Sequence, residues 1–300
     1  MGAPPTYPGL EALDPTSSRL VIVGDTQETS WLEVVLEQNR RLRPHLLAEI
    51  TRRRPGAVLH LGDLVTWGAS QRHWRRLDAE LADLRAAHVP VLPVFGNHDR
   101  WPLARAAEAQ VGARFACLRE RPWYAFRHLG VRFVALDSNF GALGPARIEA
   151  QARWLDDEVR AADADPAVRA IIGLWHHPAW TNSRLVRPSR AAREGFAATL
   201  ARSPKTIACF SGHCHAWEHF EDLGLPLFVS GGGGGPRHPL EERPHKRRRD
   251  DLYTGGSGRF LHFCELELGA DHATVRVVRM RDRAFDLAAT IPLPYRAPRP

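Results

Sequence analysis

VPVLPVFGNHDR, residues 89–100, runs from an apolar stretch straight into Gly96, Asn97, His98 and Asp99. The apolar part reads as a strand buried on both faces, and the glycine as the point where the chain turns sharply. An amide, an imidazole and a carboxylate follow without a break. Ligands of α/β proteins bind outside the carboxyl ends of the strands, so the question is what this strand end holds.

The same design recurs along the chain. Short apolar runs stand at 19–24 (RLVIVG), 57–62 (AVLHLG), 131–137 (VRFVALD), 169–175 (VRAIIGLW), 205–212 (KTIACFSG) and 225–232 (LPLFVSGG). Between the earlier ones lie segments with helical spacing: Trp31, Val34, Val35 and Gln38 through Ile50; His73 to Ala87; Ile148, Trp154, Leu155 and Val159; Ala191 to Leu200. Strands alternating with helices predict an α/β fold with largely buried sheets. RFLHFCELEL (259–268) and HATVRVVRM (272–280) read as a hairpin about Gly269-Ala270-Asp271. The irregular segment 231–258, rich in glycine and arginine, reads as a long surface loop, and one domain is expected. It spans 19–290, after an N-terminal extension (1–18) and before a tail (291–300).

Composition narrows the classes. A chain of 300 residues, 44% hydrophobic and 25% charged, can bury a substantial core. The net charge of +7 is almost all arginine, Lys205 and Lys246 being the only lysines. With the many alanines, this points to GC-rich coding rather than to selection for nucleic acid. The four cysteines form no CxxC pair, so they are read as reduced thiols in a cytoplasmic protein. No apolar run approaches a membrane span, and no membrane partner is expected.

Five strand ends carry ligand-type side chains: Asp25 after Gly24, Asp63 after Gly62, Asn97-His98-Asp99 after Gly96, His176-His177 before Pro178, and His213-Cys214-His215 after Gly212. A lone Gly-Asp is an ordinary turn, and a lone histidine is more often structural. Five at one end of a sheet are different, because buried carboxylates and imidazoles without partners are costly. Divalent cations would neutralise them: carboxylate and amide oxygens are hard ligands, and imidazole suits zinc, iron or manganese.

In this order and spacing the motifs resemble the calcineurin-like metallophosphoesterase superfamily, from Asp25 to His215, with GNHD and GHCH the most specific. Gln151-Ala152-Arg153-Trp154-Leu155, shortly after Leu136-Asp137-Ser138, is similar to the purple-acid-phosphatase-like and cyclic-nucleotide-phosphodiesterase-like branches. The resemblance implies a four-layer αββα sandwich of two mixed sheets flanked by helices. It also implies a metal-dependent hydrolase of phosphate mono- or diesters, working through a dinuclear site and a metal-activated hydroxide. Asp63 would bridge two divalent metal ions (Mn, Fe or Zn), Asp25 and His215 would complete the first, and Asn97, His176 and His213 the second. His176 is preferred to His177 because the family's ligand stands two residues before the proline. His98 would face the phosphate as a catalytic residue, with Asp99 holding its imidazole. The implied partner is a phosphorylated small molecule or nucleotide.

Two positions depart from the family. Gln27 stands where many members have a histidine, so it binds the first metal weakly or serves just outside it. Thr66 replaces the tyrosine of purple acid phosphatases, so no purple colour is expected. Gln27 is also the feature that favours an alternative, a non-catalytic metal-binding scaffold. The basic run His245-Lys246-Arg247-Arg248-Arg249 favours another, a nuclease of the same superfamily, although as a solvated loop face it needs no nucleic acid. Gly231–Gly235 reads equally as a phosphate-binding nest or a turn. Cys214 is expected to be structural. Trp67, Trp101, Trp180 and Trp217 are candidates for an aromatic rim or for core under the loops.

Overall fold

The computed structural model describes residues 3–29, 37, 39–242 and 245–295. Within them the strands are β1 (Arg19–Val23), β2 (Val58–His60), β3 (Val91–Pro93), β4 (Tyr124–His128), β5 (Val131–Ala135), β6 (Ala170–Leu174), β7 (Thr206–Ser211), β8 (Trp217–Asp222), β9 (Leu225–Ser230), β10 (Leu261–Leu268), β11 (His272–Arg281) and β12 (Ala284–Pro294). They build two six-stranded sheets, ordered β12-β11-β10-β1-β2-β3 and β4-β5-β6-β7-β9-β8. In the first sheet β1, β2 and β3 are parallel and β10–β12 antiparallel. In the second β5, β6, β7 and β9 are parallel, with antiparallel β4 and β8 at the edges. Both sheets are therefore mixed, as expected.

The second sheet shows why its runs are apolar throughout. Phe133, Ile172, Phe210 and Phe228 join the core shared with the first sheet, which includes Ile22, Leu59, Leu92 and Phe263. Their neighbours Val134, Ile171, Cys209 and Val229 pack on the other side against Leu155 and Val159 of the helix Pro145–Ala164 and against Phe196 and Leu200. Successive residues of a strand face opposite ways, so a sheet covered on both faces must be apolar at every position. On the outer side of the first sheet the helix Arg43–Arg52 buries Leu46, Leu47 and Ile50. The layers are helix, sheet, sheet, helix.

The hairpin at 259–280 forms as β10 and β11. Of the first expected helix, residues 30–36 and 38 lie outside the described residues, and the rest is helical from Arg43. The segment 73–87 divides into Gln71–Glu80 and Ala82–Ala86, and 191–200 forms Ala192–Ala201, π-wound at its start. Strands β4, β8 and β12 carried no clear sequence signal. They lie at or beside sheet edges, where one face or both meets solvent and the apolar pattern thins; most of β12 is exposed or half-buried. That strand carries the first sheet past residue 290 to Pro294, while 296–300 lie outside the described residues. Before β1, Tyr7 is buried, stacked on Phe115 at 4.9 Å and donating its hydroxyl to Asp78 at 3.0 Å. No helix among the described residues is long and apolar enough to cross a membrane.

Candidate metal centre

Asp25 follows β1, Asp63 follows β2, and Asn97, His98 and Asp99 follow β3; His176 follows β6, and His213 and His215 follow β7. The first three strands are parallel neighbours in one sheet and the last two in the other. Their carboxyl ends deliver these side chains to one place, where two groups form. Asp25, Asp63 and His215 bring ligand-type atoms within 4.8 Å of one another, and so do His176, His177 and His213.

The backbone is bent to make this possible. Asp25, Asp63 and His213 all take left-handed conformations, with φ of 61°, 54° and 66°. Such residues cost on the order of 1–3 kcal/mol each and persist where surrounding contacts over-determine them. Those contacts are present: the Asp25 N–H donates to the Gly62 carbonyl, the Asp63 N–H to Asp99 Oδ2 (2.8 Å), and the His213 N–H to the Asp25 carboxylate (2.9 Å). Gly96 permits the crowding, because a Cβ there would stand 2.1 Å from the Asp63 nitrogen and Oδ1.

Main-chain carbonyls orient two of the imidazoles. Nδ1 of His176 lies 2.8 Å from the Leu61 carbonyl, and Nδ1 of His215 lies 2.8 Å from the Pro236 carbonyl. A carbonyl accepts only, so each Nδ1 carries the hydrogen and Nε2 turns inward. Nε2 of His176 meets Asp63 Oδ2 at 3.3 Å, Asn97 Oδ1 at 3.0 Å and Nδ1 of His213 at 3.2 Å. Nε2 of His215 meets Asp25 Oδ1 at 3.5 Å. Lone pairs thus converge on lone pairs in a buried place, which requires positive charge, either protons or cations. Burial opposes a charged His176, yet the Asp63 and Asp25 carboxylates raise it to about 9. His215 is raised too, by Asp25 against burial, and Asp63 is held below the carboxylate range, burial being outweighed by the neighbouring histidines. This donor set of carboxylate oxygens, an amide oxygen and imidazole nitrogens fits divalent cations.

Gln27 closes over the first group, its amide nitrogen 3.0 Å from Nε2 of His215 and 3.3 Å from Asp63 Oδ2. With the amide turned over, the nitrogen donates to the Asp63 and Asp25 carbonyls at 3.0 and 3.3 Å and the oxygen faces His215. His177 belongs to the second group, with Nδ1 2.9 Å from Ser138 Oγ; burial, then His176, lowers it to about 3. The expectation that Asp99 holds the His98 ring is corrected. The Asp99 carboxylate accepts the N–H groups of Gly96, Asp63 and Leu64 at 2.8–2.9 Å and so ties the second and third strand ends together. The Thr66 carbonyl, 2.8 Å from Nδ1, holds the His98 ring instead. Those carbonyls of Leu61, Thr66 and Pro236 left no sequence signal, since any residue supplies one.

The glycine run does not form a surface loop at its start: Gly231 to Pro236 are buried. Gly231, Gly233 and Gly235 donate their N–H groups to the carbonyls of Ala216, Gly24 and Asp25, so these are spent within the fold rather than offered to phosphate. A Cβ on Gly235 would stand 2.6 Å from the His215 ring, which is also stacked by His238 at 4.1 Å. The basic run is engaged as well. Arg247 donates to the Thr181 and Ser183 carbonyls, and Arg248 pairs with Asp250 and lies over Trp180 at 4.6 Å. Cys214 is fully buried. Of the four tryptophans, Trp217 is core, and Trp180 is tied to Asp222 through Nε1 at 2.6 Å. Trp67 and Trp101 meet edge to face at 5.7 Å beside the site.

A family model described as calcineurin-like phosphoesterase matches residues 18–217. Curated protein sequences yield no match. Solved structures do share the fold. A purple acid phosphatase from yellow lupin seeds is 18% identical with a TM-score of 0.71, covering 92% of this chain and 53% of its own. GAP50, described as the anchor in the inner membrane complex of Plasmodium, is 16% identical with a TM-score of 0.70, covering 93% and 89%. A dimetal phosphatase from Danio rerio is 16% identical with a TM-score of 0.57, covering 94% and 100%.

Proposed function

Because the chain belongs to the calcineurin-like phosphoesterase family, we propose that it hydrolyses phosphate mono- or diesters with the help of two divalent cations. Asp25, Asp63 and His215 would hold one, with Gln27 turned oxygen-inward beside it; Asp63, Asn97, His176 and His213 would hold the other. The observation that carries this reading is the pair of inward-facing Nε2 atoms, on His176 and His215, set against the Asp63 and Asp25 carboxylates. When bound, two such cations neutralise phosphoryl oxygens and make a nearby water acidic.

The chain's own groups do the rest. Carbonyl-bound Nδ1 atoms keep His176 and His215 aimed inward, so no reorganisation is needed on binding. The His98 ring, tied through Nδ1 to Thr66, keeps Nε2 for the substrate. With a proton on both ring nitrogens, His98 would give the one on Nε2 to the departing alcohol oxygen as the P–O bond breaks and the water oxygen bonds to phosphorus. That water releases one proton to solvent, and the neutral His98 regains one from solvent afterwards.

The test is protein stripped of metal and reloaded separately with Mn²⁺, Zn²⁺ or Fe²⁺, assayed on p-nitrophenyl phosphate and bis-p-nitrophenyl phosphate. Metal-dependent turnover that Asp63→Ala abolishes supports the reading, and the substrate ratio separates monoesterase from diesterase. Failure to bind metal stoichiometrically would sink the ligand set. Gln27 favours a second reading, a binding role such as the anchor role described for GAP50; two bound ions without turnover of either ester would support it.

A further inference from the structure

Beside the proposed ligands opens a recess of about 410 Å³ whose lining includes Asn97, His177, Trp101, Ala104, Phe140 and Ala142. Trp101 is 47% exposed, whereas Trp74, Trp175 and Trp217 are fully enclosed in the core. The Trp101 ring is braced edge-on by Trp67, which in turn rests on His73 at 5.3 Å. Phe140, in the same lining, is backed by Phe196 at 5.2 Å.

Most polar groups of the walls are engaged within the fold, Arg100 Nε and the Ser189 hydroxyl hydrogen being among the exceptions. Arg100, the cation in the lining, is buried, paired with Asp137 and Glu108, and lies over Phe95 at 4.4 Å. Ser138 Oγ is taken by His177, the Asn139 amide by the Phe95 carbonyl and Asp137, and Ser189 Oγ by the Ala192 N–H. The Arg100 charge is already met by two carboxylates, so a second phosphate or a carboxylate would find little counter-charge in these walls, and a sugar would find few unengaged hydrogen-bonding groups. An arene would find a braced indole face and a phenyl ring within reach of the reacting phosphate.

We propose that the alcohol half of the substrate is an uncharged aromatic group, stacked on Trp101 in this recess. The proposal rests on the phosphoesterase reading and adds to it a substrate class.

Benzyl phosphate and ethyl phosphate test it, because both release a primary alcohol of similar acidity and differ mainly in the ring. In the metal-loaded protein, kcat/KM should favour benzyl phosphate by about tenfold or more, the order expected for one stacked ring. Trp101→Ala should lower that ratio about tenfold, and Trp101→Phe should keep most of it; since Trp101 lies at the surface, folding is not at stake. Calorimetric titration with benzylphosphonate and ethylphosphonate gives a readout that needs no turnover. A ratio near one in the unaltered protein, or one that Trp101→Ala leaves unchanged, overturns the proposal. If neither monoester is turned over, p-nitrophenyl phosphate and bis-p-nitrophenyl phosphate decide the phosphoesterase reading separately, which fails only when they too are left intact. The phosphonates then decide: tighter benzylphosphonate binding lost in Trp101→Ala supports the recess, and equal binding overturns it.

Discussion

The two ligand groups share one cleft but differ in enclosure. Asp25, Asp63 and His215 are all buried, and Gln27 lies across them; in the other group His176 is buried while His177 and His213 are half-open. An enclosed set of preoriented donors suits a cation that stays, and an open set suits one that meets the substrate. On the proposed reading the same fold would divide anchoring from exchange, and Asp63, facing both groups, is where that division would be broken.

The largest effect is expected at that residue. Asp63→Ala should abolish metal-dependent hydrolysis, by on the order of a thousandfold or more, and plasma emission spectrometry should find ions missing from both groups rather than one. Next come His215→Ala and His176→Ala as a pair. The first should lose the slowly exchanging ion. The second should keep it while kcat falls on the order of a hundredfold; equal metal loss in both would erase the contrast between the groups. Gln27→His sharpens it in the other direction. An imidazole in place of the amide should tighten the enclosed ion by about tenfold or more in a chelator competition. The smallest effect belongs to Asp99→Asn, which sets an NH₂ group against the N–H groups that the carboxylate accepts from both strand ends. It should lower folding stability by about 1–3 kcal/mol in urea titration, with both ions still bound. Loss of an ion at unchanged stability would instead move Asp99 into the chemistry.

Much of the site was legible because strand ends are local features. Gly24-Asp25, Gly62-Asp63, Gly96-Asn97-His98-Asp99 and Gly212-His213 each show an apolar run, a turn and a ligand in consecutive residues. Asp99 was misread for the same reason: adjacency to His98 suggested a partnership, whereas the carboxylate points to backbone N–H groups some 35 residues away and at Gly96. The glycine run was misread as surface because its composition is that of a loop. Nothing local shows that Asp25, Gly24 and His215 lie against it.

The order of apolar runs, helical spacings and strand-end ligands was enough to determine an α/β fold and the side chains that would gather at its carboxyl edge, while the two-sheet sandwich was implied by the resemblance of those motifs to a known family. The tertiary structure decided their orientation: which imidazole nitrogen faces inward, which residue holds His98, and which tryptophan remains uncovered. Periodicity and turn chemistry act over a few neighbouring residues and so are written along the chain. Tautomers, left-handed ligand residues and an exposed indole depend on carbonyls and rings supplied by distant strands, and those meet only once both sheets have packed.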